Sequence, residues 1–366
     1  MAKHNPANER IKRRYFAYLT GAHGRDQTTV DAVAKSLARF EDYTRAREFA
    51  KFRLEQAAGF RVKLSEERNA RTGAQLSKAT MLSTLRDLRA FFFWLADQPG
   101  FKSRIQHSDA DYFSLSDKDV AIAQARREKV VPSVAQVEHT LRSMPVATVL
   151  VRRDRALIAF AAITGARVDA LASFRLGHVN LAGGYVEHDA RTVRTKFGKT
   201  FRTFFMPVCE TALDIVTDWI GELERDHLWG PADPLFPATK MGLGEGGGFV
   251  AQGLARHGWA TTSPIRDIFK RAFARADLPY FNPHSFRDML VRHAMQMNLP
   301  TRTLKSWSQN LGHTDLLTTL TSYGNVPVHE QGELIRAVKS KDGNVSECEQ
   351  IEVLEQILQE LRRNSA

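Results

Sequence analysis

The chain has little cysteine. Only Cys209 and Cys348 occur in 366 residues, far apart in sequence. No disulfide framework and no cysteine set for a structural zinc can be built from them, and the expected compartment is a reducing cytoplasm. Long apolar runs are missing too. The most apolar stretch, residues 156–162, is far too short to cross a bilayer, and the opening MAKHNPANERIKRRYF has no apolar core of a secretion signal. No membrane partner is expected. Nor is there an HExxH motif or an acidic cluster with ligand spacing, and the glycine-rich 241–248 lacks the GK[ST] ending of a phosphate loop. Neither a metal ion nor any other cofactor is expected.

What the chain has in excess is positive charge. Lysine and arginine outnumber acids 52 to 41, a formal charge of +11, which points to a polyanionic partner. The apolar and charged fractions, 43% and 25%, are those of a folded globular protein, and the length implies two domains with separate cores.

Apolar residues recur at helical spacing through Val30, Val33, Leu37 and Phe40, and again through Leu82, Leu85, Leu88, Phe92 and Leu95. This predicts a helical bundle over 25–115, preceded by a basic segment, 1–24, that carries Arg10, Lys12, Arg13 and Arg14. Ser77 suits the N-cap of a helix bearing Lys78, Arg86 and Arg89, and the aromatic block Phe91 to Trp94 reads as core. Residues 116–132 are polar and basic and read as a linker. Helices are expected over 133–144, 152–163 and 212–223, inside a second domain spanning 133–340. Between them, TVRTK and TFRTFFMPV alternate as strands do, which predicts a hairpin with basic residues around its turn. The glycine-rich 241–248 reads as a surface insertion with no strand before it. Residues 341–366 carry Ile351, Leu354, Leu358 and Leu361, the stripe of an amphipathic helix able to dock on a neighbour.

The chemistry concentrates in FNPHSFRD. Asn282 can cap a helix, Pro283 suits its first position, and His284 and Arg287 follow one turn apart. A helix N-terminus attracts phosphate, and a guanidinium adds planar donors matched to its oxygens. Downstream, LGHTDLLTTLTSYGNV places Tyr323 ten positions after His313. Upstream, ITGARVDAL places Arg167 after a glycine break.

In this order His284, Arg287, Leu311-Gly312-His313 and Tyr323, with Arg167 before them, resemble the tyrosine recombinase (phage integrase) family. The resemblance implies a mainly α fold, with a helical core-binding domain followed by a mainly helical catalytic domain with a small antiparallel β-sheet. It implies a site-specific DNA recombinase in which Tyr323 attacks a DNA phosphate to form a 3′-phosphotyrosyl link. Arg167 and Arg287 would clamp the phosphate, His284 would take the tyrosine proton and His313 would hydrogen-bond a phosphate oxygen. Lys196 would protonate the departing 5′-oxygen, with Lys199 as the other candidate. Lys78, Arg86 and Lys199 are expected DNA contacts. The partners implied are double-stranded DNA, held between the two domains, and a homo-tetramer on two DNA sites. Accessory DNA-bending proteins are unknown. A type IB topoisomerase-like relaxation enzyme and a catalytically weakened architectural DNA-binding protein are the alternatives. The chain departs from the family twice: Ala170 stands where an acid is usual, and the interval from His313 to Tyr323 is one residue longer than the common spacing.

Overall fold

The computed structural model describes residues 4–69, 72–125, 129–244, 246–297 and 299–313. Tyr323 and the apolar stripe at Ile351, Leu354, Leu358 and Leu361 lie outside the described residues. The chain divides into two compact units, 1–127 and 128–366.

The first unit is built from α1 (Pro6–Gly21), α2 (Gln27–Thr44), α3 (Leu54–Glu66), α4 (Lys78–Ala96), α5 (His107–Ala110) and α6 (Asp117–Gln124). Its core is aromatic. Phe40 meets Phe60, Phe92 and Phe113 edge-on, while Phe52 stacks on Phe92 with ring centroids 3.9 Å apart. Edge-on and offset-stacked rings suit the quadrupole of the π-system and add to what burial of their area contributes. Ser77 caps α4 by accepting from the Thr80 amide, as its sequence position implies.

Two boundaries differ from the sequence expectation. The basic segment contains helix α1, Pro6–Gly21, whose Ile11, Tyr15 and Leu19, spaced by four, are buried in the bundle. Its basic run occupies the outer side, where Lys12 is satisfied by Glu41 at 2.6 Å and Glu9 at 2.7 Å. The stretch read as linker likewise contains α6, capped by Ser116 and tied to α4 through the ion pair of Lys78 with Asp119 at 3.1 Å. Short polar helices of this kind bury no residue of their own, so apolar periodicity does not reveal them.

The second unit comprises α7 (Val134–Ser143), α8 (Val149–Thr164), α9 (Val168–Leu171), α10 (Ala212–Arg225), α11 (Ser263–Arg275), α12 (Ser285–Gln296) and α13 (Thr301–Asn310). Helix α8 is its axis: every residue from 156 to 164 is buried. A helix apolar on all sides must be surrounded by protein or lipid; α8 is surrounded by the core of its own unit, and no helix among the described residues is long and apolar enough to cross a membrane.

Three antiparallel strands, β1 (Val179–Asn180), β2 (Tyr185–His188) and β3 (Phe201–Phe204), form a sheet in that order. Pairing of His188 with Phe201 and Val186 with Thr203 fixes the register. The buried face therefore carries Val186, His188, Phe201 and Thr203; the other carries Tyr185, Glu187, Arg202 and Phe204, with Glu187 and Arg202 in an ion pair. The hairpin connection is residues 189–200, so TVRTK is loop rather than strand. Its β-branched residues are held by turn contacts: Val193 is buried and its amide donates to the Asp189 carbonyl.

The glycine-rich segment is a second correction. It is preceded by a strand, and β4 (Thr239–Leu243) and β5 (Phe249–Leu254) make a two-stranded ribbon around it. Pairing of Met241 with Ala251 and Leu243 with Phe249 gathers apolar side chains on one exposed face.

Candidate active site

The site is assembled on α8, α12, α13 and the sheet. Helix α8 ends at Gly165, whose backbone is left-handed at φ 57° and whose amide donates to the Ala161 carbonyl. A Cβ there would meet Leu311 at 2.8 Å and Leu290 at 2.9 Å, so glycine is required twice over. The turn leaves Arg167 half-buried at the start of α9, with Ala170 buried behind it and Asp169 exposed.

Helix α12 begins two residues beyond Pro283, at Ser285. Its N-cap position is therefore His284 rather than Asn282, whose Oδ1 accepts from the amides of His284 at 3.0 Å and Ser285 at 3.2 Å in the turn that leads into the helix. One turn along, Arg287 is only 2% exposed. Its Nη1 donates to the Gly165 carbonyl at 2.7 Å, and its Nη2 donates to the Leu311 carbonyl and to His313 Nε2, the latter at 2.9 Å. One guanidinium thus ties together the Thr-Gly-x-Arg turn, the His-x-x-Arg helix and the Leu-Gly-His turn, three segments far apart in sequence.

The tautomer of His313 follows. Arginine donates and cannot accept, so Nε2 is the bare nitrogen and the ring proton sits on Nδ1. Burial, then the charges of Arg287, Arg167 and Lys199, push His313 down to about 3. His284 is more open to solvent, yet the protein around its ring, followed by Arg287, Lys129, Arg167 and Lys196, lowers it to about 4. Both imidazoles are neutral at neutral pH, as a proton acceptor or neutral donor must be.

Lys196 and Lys199 stand exposed on the 189–200 loop, and Lys196 Nζ lies 4.8 Å from the centre of the Phe197 ring. The field of Lys196 bears on His284 and that of Lys199 on His313. In the first unit, Lys78 is engaged by Asp119 whereas Arg86 is exposed.

Sequence reasoning missed four residues. His188 is buried on β2, stacked on Phe201 at 4.2 Å and pushed down to about 3 by burial and then by Arg287 and Arg167. Thr203 and Asn310 join it by hydrogen bonds. No motif marks them; the only signal is a histidine on the inward side of an alternating strand. Lys129 was also missed. It pairs with the buried carboxylate of Asp288 at 3.5 Å, and burial raises the pKa of that carboxyl.

A helical unit with a small antiparallel sheet, two separated arginines and two neutral histidines at one locus defines a DNA strand transferase of the tyrosine recombinase type. Residues 134–329 match the phage integrase family, more than half of the chain, and the chain belongs to it. It is 21% identical over 315 residues to the tyrosine recombinase XerD of Staphylococcus haemolyticus (strain JCSC1435), covering 85% of this chain and 92% of that one. To the tyrosine recombinase XerC of Stutzerimonas stutzeri (strain A1501) it is 23% identical over 308 residues, 83% of this chain and 88% of the relative. Among solved structures, a XerH site-specific recombinase bound to palindromic difH substrate in a post-cleavage complex superposes with a TM-score of 0.60 at 15% identity, covering 89% of this chain and 84% of that one. A lambda integrase(75-356) dimer bound to a COC′ core site gives 0.58 at 12% identity, covering 87% and 95%. The chain is a site-specific DNA recombinase.

Proposed function

We propose that the chain cuts and rejoins duplex DNA through a 3′-phosphotyrosyl intermediate on Tyr323. The observation that carries this is the convergence of Arg167, Arg287, His284 and His313 on one cluster whose imidazoles are held neutral. A phenol with an ordinary pKa near 10 is a weak nucleophile at neutral pH, and a neutral His284 can take its proton as the bond to phosphorus forms. Charge developing on the non-bridging oxygens is stabilised by the fields of Arg167 and Arg287, and His313 offers its Nδ1–H as a neutral donor. Lys196, on the exposed loop, delivers the proton to the departing 5′-oxygen as general acid, with Lys199 next along the same loop. The phosphotyrosyl bond conserves the energy of the broken phosphodiester, and attack by a second 5′-hydroxyl reverses it without water.

Exchange between two duplexes needs two sites, and we infer four protomers, each supplying one Tyr323, acting in the cytoplasm. Lys78, Arg86 and Lys199 are proposed DNA contacts, with Arg86 and Lys199 the more exposed. The test is a recombination assay on plasmids carrying a duplex selected for binding from a random library. Recombinant circles are expected in the presence of EDTA and without nucleotide. Supercoil relaxation without recombinants would instead indicate a topoisomerase-like outcome, and loss of cleavage in EDTA would overturn the metal-free mechanism.

A further inference from the structure

We infer that His188, Thr203 and Asn310 form a hydrogen-bonded strut that positions the Leu311-Gly312-His313 turn against Arg287, so that these three are positioning residues for the phosphate chemistry. The inference rests on the reading of the site given above. Its direction follows from hydrogen counting. The Asn310 carbonyl can only accept, so the single hydroxyl proton of Thr203 goes to it at 2.8 Å. The Thr203 oxygen then accepts from His188 Nε2–H at 3.2 Å. His188 is thereby a neutral Nε2–H tautomer, consistent with a cationic ring being disfavoured so near Arg287 and Arg167.

The Asn310 side chain adds a second clamp. Its Oδ1 accepts from the Phe204 amide at 2.6 Å, and its Nδ2 donates to the Phe204 carbonyl at 2.8 Å. One side-chain amide thus pairs with the outer edge of β3 as a further strand residue would, satisfying groups that an edge otherwise leaves to water. Asn310 is the residue just before Leu311, whose carbonyl accepts from Arg287. Its attachment to β3 therefore sets where that carbonyl, the Gly312 turn and His313 stand. Phe201 completes the fit, because its ring fills the space a Cβ on Gly312 would take. Through β3 the strut also joins the 189–200 loop, with Lys196 and Lys199, to His313.

A strut differs from mere satisfaction of buried polar groups in what it moves. The Gly312 and His313 amides donate to the carbonyls of Gln309 and Ser308 and so are protected from exchange. The experiment compares wild type, Thr203→Val, Thr203→Ser and Asn310→Ala by amide hydrogen exchange, and by single-turnover adduct formation on a nicked duplex selected from a random library. In Thr203→Val and Asn310→Ala, exchange at Gly312 and His313 is expected to rise about 10-fold while α8 is unchanged. Adduct formation is expected to slow about 10- to 100-fold, as for a displaced reacting group, with DNA affinity within about twofold. Thr203→Ser, which keeps the hydroxyl, is expected to restore both. Unchanged exchange at Gly312 and His313, acceleration spread evenly over α8, or affinity falling as far as rate would overturn the strut. A wild-type protein that forms no adduct would sink the reading of the site, while the exchange comparison would still decide the strut.

Discussion

A Cβ built on Gly312 would meet the Phe201 ring at 2.7 Å, and the backbone there has a φ of 72°. Left-handed backbone costs an L-residue about 1–2 kcal/mol before any clash, and the ring can move only by disturbing its stack on His188. Gly312→Ala is therefore expected to lower stability by at least that amount in urea unfolding, and to slow adduct formation more than stability alone explains, because the turn carrying His313 shifts. An alanine variant with wild-type cleavage would show that the close approach does not matter. At this scale the sequence was informative where side chains belong to a motif. Arg167, His284, Arg287 and His313 could be named because their motifs resemble the family's in order, and the structure brings them together. His188, Thr203 and Asn310 could not, because each contributes through partners distant in sequence that only strand pairing and helix docking bring near.

Among the elements, α4, α8 and α10 were legible because burial on one side, or on all sides, leaves an apolar period. The 189–200 loop and the β4–β5 ribbon were not. In the loop, valine and threonine serve turn contacts and imitate a strand; in the ribbon, glycines within real strands imitate a loop. Helix α4 allows a sharper test of the proposed DNA contacts. Lys78 already answers Asp119, while Arg86 is exposed on the same helix. Arg86→Ala is expected to weaken DNA binding and to reduce the slope of log affinity against log salt by about 1, the signature of one lost phosphate contact. Lys78→Ala should change that slope less. Equal slopes for both variants and wild type would remove α4 from the DNA interface.

For the whole molecule, the depressed histidines make stability depend on pH. His188 and His313, both buried, are held near 3 against 6.5 in an ordinary setting. Between those values the unfolded chain binds protons that the folded chain refuses. Their contribution is therefore complete above about pH 6.5 and is lost as pH falls toward the folded values. At pH 5 the loss is on the order of 2 kcal/mol per histidine. Urea unfolding should show it, and His188→Phe should flatten the curve; stability unchanged from neutral pH to pH 5 would contradict the burial of neutral rings.

The net charge of +11 brings DNA to the surface, but the central claim concerns one bond. The measurement that addresses it most directly is to trap the protein on a nicked duplex in EDTA, digest the adduct and locate the attached nucleotide by mass spectrometry. The predicted result is a 3′-phosphate ester on Tyr323, absent in Tyr323→Phe. An adduct that persists in Tyr323→Phe, or one located on another residue, would contradict it.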